Sequence, residues 1–350
     1  MRRLILVFAL LALVFALLWA TRDRIALALF RQGMADVLTA DPLRGRGDVL
    51  SVTLCGAGSP MAGPDRLGPC TLVTAGQQVF LVDAGEGAVR GLTRIGFPPA
   101  RVQAVLLTHL HSDHFDSLGD VALNHWAAGS ARAPLPLYGP AGVERIAEGL
   151  NLAYGIDRDF RIAHHGAAVV PPAGYGLAAH PAAPGVIYQH AGLTITAFAV
   201  DHGPVKPAFG YRFDYKGRSL AISGDTAPSA NLVRAARGAE VLVHEALSPR
   251  LVAIQREEAL RAHKPGLAKI LADIPSYHTS PEAAATIAER SGAKLLLLTH
   301  IIPPLPISIL ERPFLGDARA RFHGRLILGR DGDALVLPVG SQAIDKERRF

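Results

Sequence analysis

The sequence predicts an α/β fold behind an N-terminal membrane segment, on three observations. Short apolar runs alternate with helical patterns along most of the chain. Several of those runs stop at a histidine or an aspartate, and one long uncharged stretch stands apart at the N-terminus. With 350 residues, 49% hydrophobic and 19% charged, the chain can bury one large core or two ordinary ones, which excludes a disordered protein. The net charge of +6 suits an anionic partner, but Lys and Arg are scattered, with no run longer than the closing KERRF. Charge alone is therefore weak ground for a nucleic-acid function.

The first element is the uncharged stretch Leu4 to Ala20, whose 17 residues lie at the short end of a membrane-spanning helix. It reads as an uncleaved anchor rather than a removed signal, because Leu18 is large where cleavage wants a small residue. Arg2, Arg3 and the amino group outweigh Arg22-Asp23-Arg24, so the N-terminus stays in the cytoplasm and the rest of the chain faces the extracytoplasmic, periplasmic side. The expected division is residues 1–24 as anchor or signal segment, 25–47 as a connecting segment, 48–340 as one catalytic domain and 341–350 as a tail.

Within the catalytic domain, Cys55 and Cys70 flank the turn-rich GAGSPMAGPDRLGP. They either pair in an oxidising compartment, closing a loop worth ~3 kcal/mol, or are two small buried residues. The strand Val105-Leu106-Leu107-Thr108 runs into HLHSDH, residues 109–114. His125 and Trp126 follow on a helix, where packing is the default, and His164-His165 read as a solvated pair in a loop. Residues 171–185, rich in Pro and Gly, read as a surface excursion. Further strands end at Asp201-His202, at Gly224-Asp225, at His244 and at His300. Lys206 is close to His202, but a contact with an anionic substrate is the lesser of its readings. Between the last two strands, Ser280 caps a helix that Pro281 opens and Gly292 stops.

Five apolar strands delivering possible ligands at their carboxyl ends imply one shared site. Imidazole and carboxylate without thiolate suit Zn²⁺, with Mn²⁺ or Fe as substitutes. His109 and His111 sit two apart on an extended segment and point the same way, while Asp113 and His114 follow on a turn. One tetrahedral ion cannot use all four, so the spacing suggests two adjacent ions bridged by Asp225, with a shared hydroxide as nucleophile.

HLHSDH, followed in order by VDHGPVKPAFGYRF, SGDT, VHEAL, YHTS and LLTH, resembles the metallo-β-lactamase superfamily, in its ribonuclease Z-like branch. TLCGAGSP and FLVDAGEG resemble that branch's first strands, so the likeness spans about residues 48 to 340. It implies a four-layer αββα sandwich with a dinuclear zinc site at one edge. Carried over residue by residue, it gives His109, His111 and His202 to one zinc, Asp113, His114 and His300 to the other, and Asp225 to both. It adds His278 as proton donor to the leaving group, beside Asp113 as a catalytic group, and places His244 and Glu245 behind the ligands, where a carboxylate orients an imidazole.

Asp225 favours phosphodiester or sulfate-ester chemistry, because lactam-cleaving relatives usually carry a different residue there. Bacterial enzymes that mature transfer RNA typically insert a long arm between the third motif and SGDT, and only 22 residues separate His202 from Asp225 here. Exported members of the branch resemble zinc-dependent arylsulfatases. The expectation is therefore a membrane-attached zinc hydrolase of a small anionic ester, sulfate esters ahead of phosphodiesters, with nucleic acid disfavoured as a partner. The alternatives are a ribonuclease Z-like endoribonuclease and a non-catalytic anchored binding protein; the complete ligand set counts against the last. The oligomeric state is not legible in the sequence.

Overall fold

The computed structural model describes residues 1–350 except Ala40, Ala62 and Asp65. The chain divides into two compact units, Met1–Gly45 and Arg46–Phe350.

The first unit is dominated by one helix, Arg2–Thr39. At 1.5 Å per residue its 38 residues extend about 57 Å, well beyond the ~30 Å of a bilayer core. Among the described residues it is the one helix long and apolar enough to cross a membrane. The expected boundary at residue 24 is not a structural one. Arg22-Asp23-Arg24 end the apolar run but not the helix, because Ile25 to Leu29 and the following turns are good helix formers with no Pro before Thr39. Most of the supposed connecting segment is thus helical.

The second unit begins with β1 (Val49–Gly56), β2 (Cys70–Ala75), β3 (Gln78–Val82), β4 (Ala104–Leu106), β5 (Leu135–Gly139) and β6 (Leu177–Pro181). The chain then builds a second sheet from β7 (Gly185–His190), β8 (Leu193–Ala199), β9 (Phe209–Tyr215), β10 (Arg218–Ile222), β11 (Val241–Leu247), β12 (Leu295–Ile302) and β13 (Arg325–Leu328). It returns to the first sheet with β14 (Asp333–Pro338) and β15 (Asp345–Arg348). The orders are β15-β14-β1-β2-β3-β4-β5-β6 and β13-β12-β11-β10-β9-β8-β7.

Side-chain alternation stacks these sheets face to face. Leu50, Val52 and Leu54 of β1 share one core with Leu295 and Leu297 of β12 and Val241 and Val243 of β11. The opposite faces are covered too. Leu242, Leu296 and Leu298 pack against Ala284, Ala285 and Ala288 of the helix Pro281–Ser291. On the first sheet, Leu92 of the helix Ala88–Arg94 is buried, and a side chain on Gly91 would collide with the Cys55 carbonyl at 2.1 Å. The result is the expected helix–sheet–sheet–helix sandwich, whose strands are apolar on both faces because both are covered.

Three local readings change. The 341–350 tail contains β15, which pairs antiparallel with β14 from Asp333↔Arg348 to Val336↔Asp345. The surface excursion 171–185 contains β6, the far edge of the first sheet, and Pro171 anchors it by accepting the buried Trp126 indole N–H at 2.7 Å. His164 and His165 form the exposed last turn of a helix, Gly155–His165, rather than a loop. Cys55 and Cys70 are disulfide-bonded, with Cα atoms 5.1 Å apart. The cap reading holds: the Ser280 hydroxyl accepts the Ala283 N–H at 3.2 Å and Gly292 adopts φ +73°.

Candidate metal centre

In both sheets the parallel strands bring their carboxyl ends to one side, the place where α/β sheets hold ligands. Beyond β4 the chain stays extended through His111 (φ −71°, ψ 145°) and then closes one tight turn, Ser112–His114. His109 and His111 therefore approach from an extended segment and Asp113 and His114 from a turn, as the spacing predicts. Gly85 makes room for this turn, since a Cβ there would sit 2.3 Å from the Asp113 carbonyl.

Asp225 follows β10 through Gly224, which holds φ +60° and whose added Cβ would meet the Phe209 carbonyl at 2.5 Å. Only glycine fits that corner. His300 is set differently. Glu245 pairs with Thr299 and Ala246 with Ile301, so His300 is the extra residue of a bulge in β12, with φ +47°. The bulge re-aims its ring, and the freed Ile301 N–H donates to the Ala57 carbonyl at 3.0 Å.

These side chains form two adjoining nests. His111 Nδ1 lies 3.0 Å from His109 Nε2 and 3.3 Å from His202 Nε2. In the second nest, Asp113 Oδ2 lies 3.4 Å from both His114 Nε2 and His300 Nε2. Asp225 Oδ2 joins the nests, 3.3 Å from His300 Nε2, 3.4 Å from His114 Nε2 and 3.9 Å from His109 Nε2. Donor atoms 2.0–2.1 Å from a tetrahedral ion are separated by roughly 3.3 Å, so both nests have the dimensions an ion requires. The buried His114 Nε2 has no hydrogen-bond partner among the described residues, an orphaned nitrogen that a cation would satisfy on displacing its proton. These His/Asp clusters are suited to binding metal ions.

Electrostatics prepare the donors. Burial holds His109 well below its ordinary pKa and lowers His111 and His202, leaving neutral rings with free lone pairs. Burial opposes charge on Asp225, but His300 and His114 outweigh it and hold the carboxyl well below the usual range. Burial likewise opposes charge on His114, where Asp83 and Asp225 prevail and push the pKa up.

Sequence reasoning missed Asp83. It follows β3 at φ +59° and is buried. Its Oδ2 accepts from His114 Nδ1 and from the Thr108 hydroxyl, both at 2.9 Å, while Oδ1 accepts the Thr108 N–H at 2.8 Å. The carboxylate thus fixes which nitrogen of His114 faces the cluster. The signal was present in FLVD, another apolar strand ending in an acid.

His278 lies beside the nests. Its Nδ1 donates to Glu245 Oε1 at 3.0 Å and is 3.9 Å from Asp225 Oδ2. The same Glu245 oxygen accepts the Thr279 N–H at 3.0 Å and the Thr226 N–H at 3.2 Å, tying three segments together. Burial would lower the His278 pKa, but Glu245 and then Asp225 raise it to about 9. Glu245 therefore orients an imidazole, as expected.

His244 does not share that role. β11 continues to Leu247, so His244 is mid-strand, and alternation places it on the Leu242–Ala246 face against the helices while Glu245 shares the inter-sheet face with Val243. His244 Nδ1 donates instead to the Glu245 carbonyl at 2.8 Å. Lys206 is exposed on the turn after His202.

Comparison with known proteins agrees with this architecture. Residues 78–301 match the β-lactamase superfamily domain. The chain is 38% identical over 285 residues to a protein from Mycobacterium bovis named Ribonuclease Z, covering 81% of this chain and 96% of the relative. A Ribonuclease Z from Mycobacterium avium is 40% identical over 286 residues, with the same coverage. Among solved structures, a metallo-β-lactamase fold protein from Bacillus subtilis superposes with TM-score 0.60 at 19% identity, over 83% of this chain and 99% of that one. The short form of human tRNase Z gives 0.56 at 22%, over 82% and 99%; both likenesses bear on the fold. On the family match, the extent of identity and the two-sheet sandwich, the chain belongs to the metallo-β-lactamase superfamily, in its ribonuclease Z-like branch.

Proposed function

We propose that the protein is a metal-dependent phosphodiesterase of the ribonuclease Z type. The observation that carries this is the joined pair of nests around Asp225, on a chain 38–40% identical to proteins named Ribonuclease Z over 96% of their length. Those relatives favour RNA over the sulfate ester that sequence reasoning put first. His109, His111 and His202 would hold one ion, Asp113, His114 and His300 a second, and Asp225 would contact both; Zn²⁺ suits the donors, with Mn²⁺ or Fe as substitutes. When bound, such ions supply Lewis-acid polarisation and lower the pKa of coordinated water. The chain's own residues do the rest. Asp83 holds the His114 ring, Asp225 keeps its charge between the nests, and Glu245 orients His278, whose other nitrogen protonates the departing oxygen.

A small anionic diester is the second reading, favoured by the connection between His202 and Asp225. β9 and β10 pair tightly from Tyr215↔Arg218 to Tyr211↔Ile222, so no gripping arm projects there. The assay that separates the readings runs the full-length protein against precursor transfer RNA, unstructured RNA, a bis-aryl phosphodiester, an aryl sulfate, a lactone and a β-lactam. RNA is expected to rank first and the aryl phosphodiester second. An aryl sulfate turned over faster than any phosphodiester would overturn the proposal.

Arg2 and Arg3 would keep the N-terminus in the cytoplasm and place the second unit outside, where a Cys55–Cys70 disulfide persists. A C-terminal reporter that works only outside the cytoplasm is expected to be active. Activity of a cytoplasm-dependent reporter alone would reverse the orientation.

A further inference from the structure

The basic residues that are scattered in the sequence gather in space. Arg66, Arg90, Arg94, Arg330 and Arg348 line one cleft of about 580 Å³, beside Phe350. They come from the loop after β1, the helix Ala88–Arg94, the β13–β14 turn and the edge strand β15. Among the described residues, Glu86 and Asp331 share the lining and Glu311 reaches Arg330 from its rim, so the five guanidinium groups outnumber the three carboxylates.

Arg330 is paired with Glu311, while the two acids of the lining engage the remaining arginines only weakly. Asp331 is occupied by the backbone, its two oxygens accepting the Ala57 and Leu67 N–H groups at 2.9 Å each. Glu86 pairs with Arg90 at 3.0 Å, but both side chains are more than half exposed, a pair that a competing anion opens easily. Arg94 lies over the Phe350 ring at 4.9 Å, and Arg348 donates through Nε to the Phe350 carbonyl at 2.7 Å. Guanidinium forks match phosphate oxygens, and the Phe350 ring holds one of them, Arg94, in place.

The cleft is close to the metal nests. Leu67 lines it, while Pro69 and Cys70 line the cavity floored by His114, Asp225 and His300. Three residues of chain span at most ~10 Å. Ala57 links the two as well, its N–H on Asp331 and its carbonyl on Ile301, next to His300.

We propose that this cleft grips the phosphate backbone of single-stranded RNA and so supplies the hold that the short β9–β10 connection does not. The inference rests on the phosphodiesterase reading for its substrate, and binding is therefore measured apart from cleavage. The probe is a 2′-O-methyl oligoribonucleotide, titrated against full-length, metal-loaded protein in detergent at several salt concentrations. Arg90→Ala/Arg94→Ala/Arg348→Ala is expected to raise Kd about tenfold or more and to flatten the log K against log salt slope by roughly two, at ~0.7 per lost single-strand contact. Arg234→Ala/Arg237→Ala/Arg290→Ala, with the same net charge and all three sites exposed elsewhere, is expected to bind like the parent.

Unchanged affinity in the first variant, or an equal loss in the second, would overturn the cleft. So would arginine-dependent binding to phosphatidylglycerol vesicles in preference to the oligonucleotide. Arginine-dependent oligonucleotide binding without cleavage of unmodified RNA keeps the cleft and overturns the ribonuclease reading instead.

Discussion

Asp225→Ala is expected to lose bound metal and turnover together. The carboxylate oxygen lies within 3.3–3.9 Å of nitrogens from His300, His114 and His109, and it is buried. Removing the shared anion leaves Asp113 as the one carboxylate among the proposed donors to offset any cations in the nests. Breaking a buried charge pair costs roughly 3–5 kcal/mol, and each 1.36 kcal/mol is a factor of ten. Metal affinity and kcat/KM should both fall by roughly 10²- to 10⁴-fold on that basis. Metal analysis of gently purified full-length protein should find about two equivalents in the parent, one for each nest. A parent stoichiometry of one, unchanged by excess zinc, would sink the two-ion arrangement. An Asp225→Ala protein that keeps its metal but loses turnover would move Asp225 from holding ions to handling substrate.

The His/Asp cluster was legible because each of its residues lies at or just past the end of an apolar run, where the carboxyl ends of the strands gather. That logic found His109, His202, Asp225 and His300 without a structure. It misread His244, since a histidine inside a strand looks the same in sequence as one at its end, and only the extension of β11 to Leu247 distinguishes them. It also passed over Asp83, although FLVD carries the same punctuation as the strands that were read correctly. His300 illustrates a limit of another kind. Its position was predictable, but its aim depends on a bulge whose register needs both β11 and β12.

Long-range assembly was the least legible feature. Arg66 and Arg348 are nearly the whole second unit apart in sequence, and they meet only because β14 and β15 return to the sheet that β1 starts. A reading that asks for consecutive basic residues cannot see such a cleft. The edge strand β15 escaped for a related reason. DKER is wholly charged and pairs along one edge only, so it lacks the apolar signal that marked the inner strands.

His278→Ala is expected to keep the metal and to lose activity in proportion to the leaving group's need for a proton. Its ring is hydrogen-bonded to Glu245, and although it also lies within reach of His202, Asp225 and His300, its removal leaves the other six donors and Asp225 in place. An RNA alkoxide leaves poorly without protonation, and loss of a positioned acid there should cost on the order of 10²-fold or more in kcat. A nitrophenolate departs unaided, and the loss on a bis-nitrophenyl diester should shrink accordingly. The pH profile gives the sign independently. Glu245 and Asp225 raise the pKa of His278, so its acid form is present on the low side of that pKa and is lost as pH rises through it. The parent's rate on RNA should therefore fall on the basic limb, and the variant's profile should lack that limb. Measurement of metal content, kcat against pH on RNA and kcat on the aryl diester decides the matter. Equal losses on both substrates, with metals retained and the basic limb intact, would make His278 a residue that positions substrate beside the nests rather than one that delivers a proton.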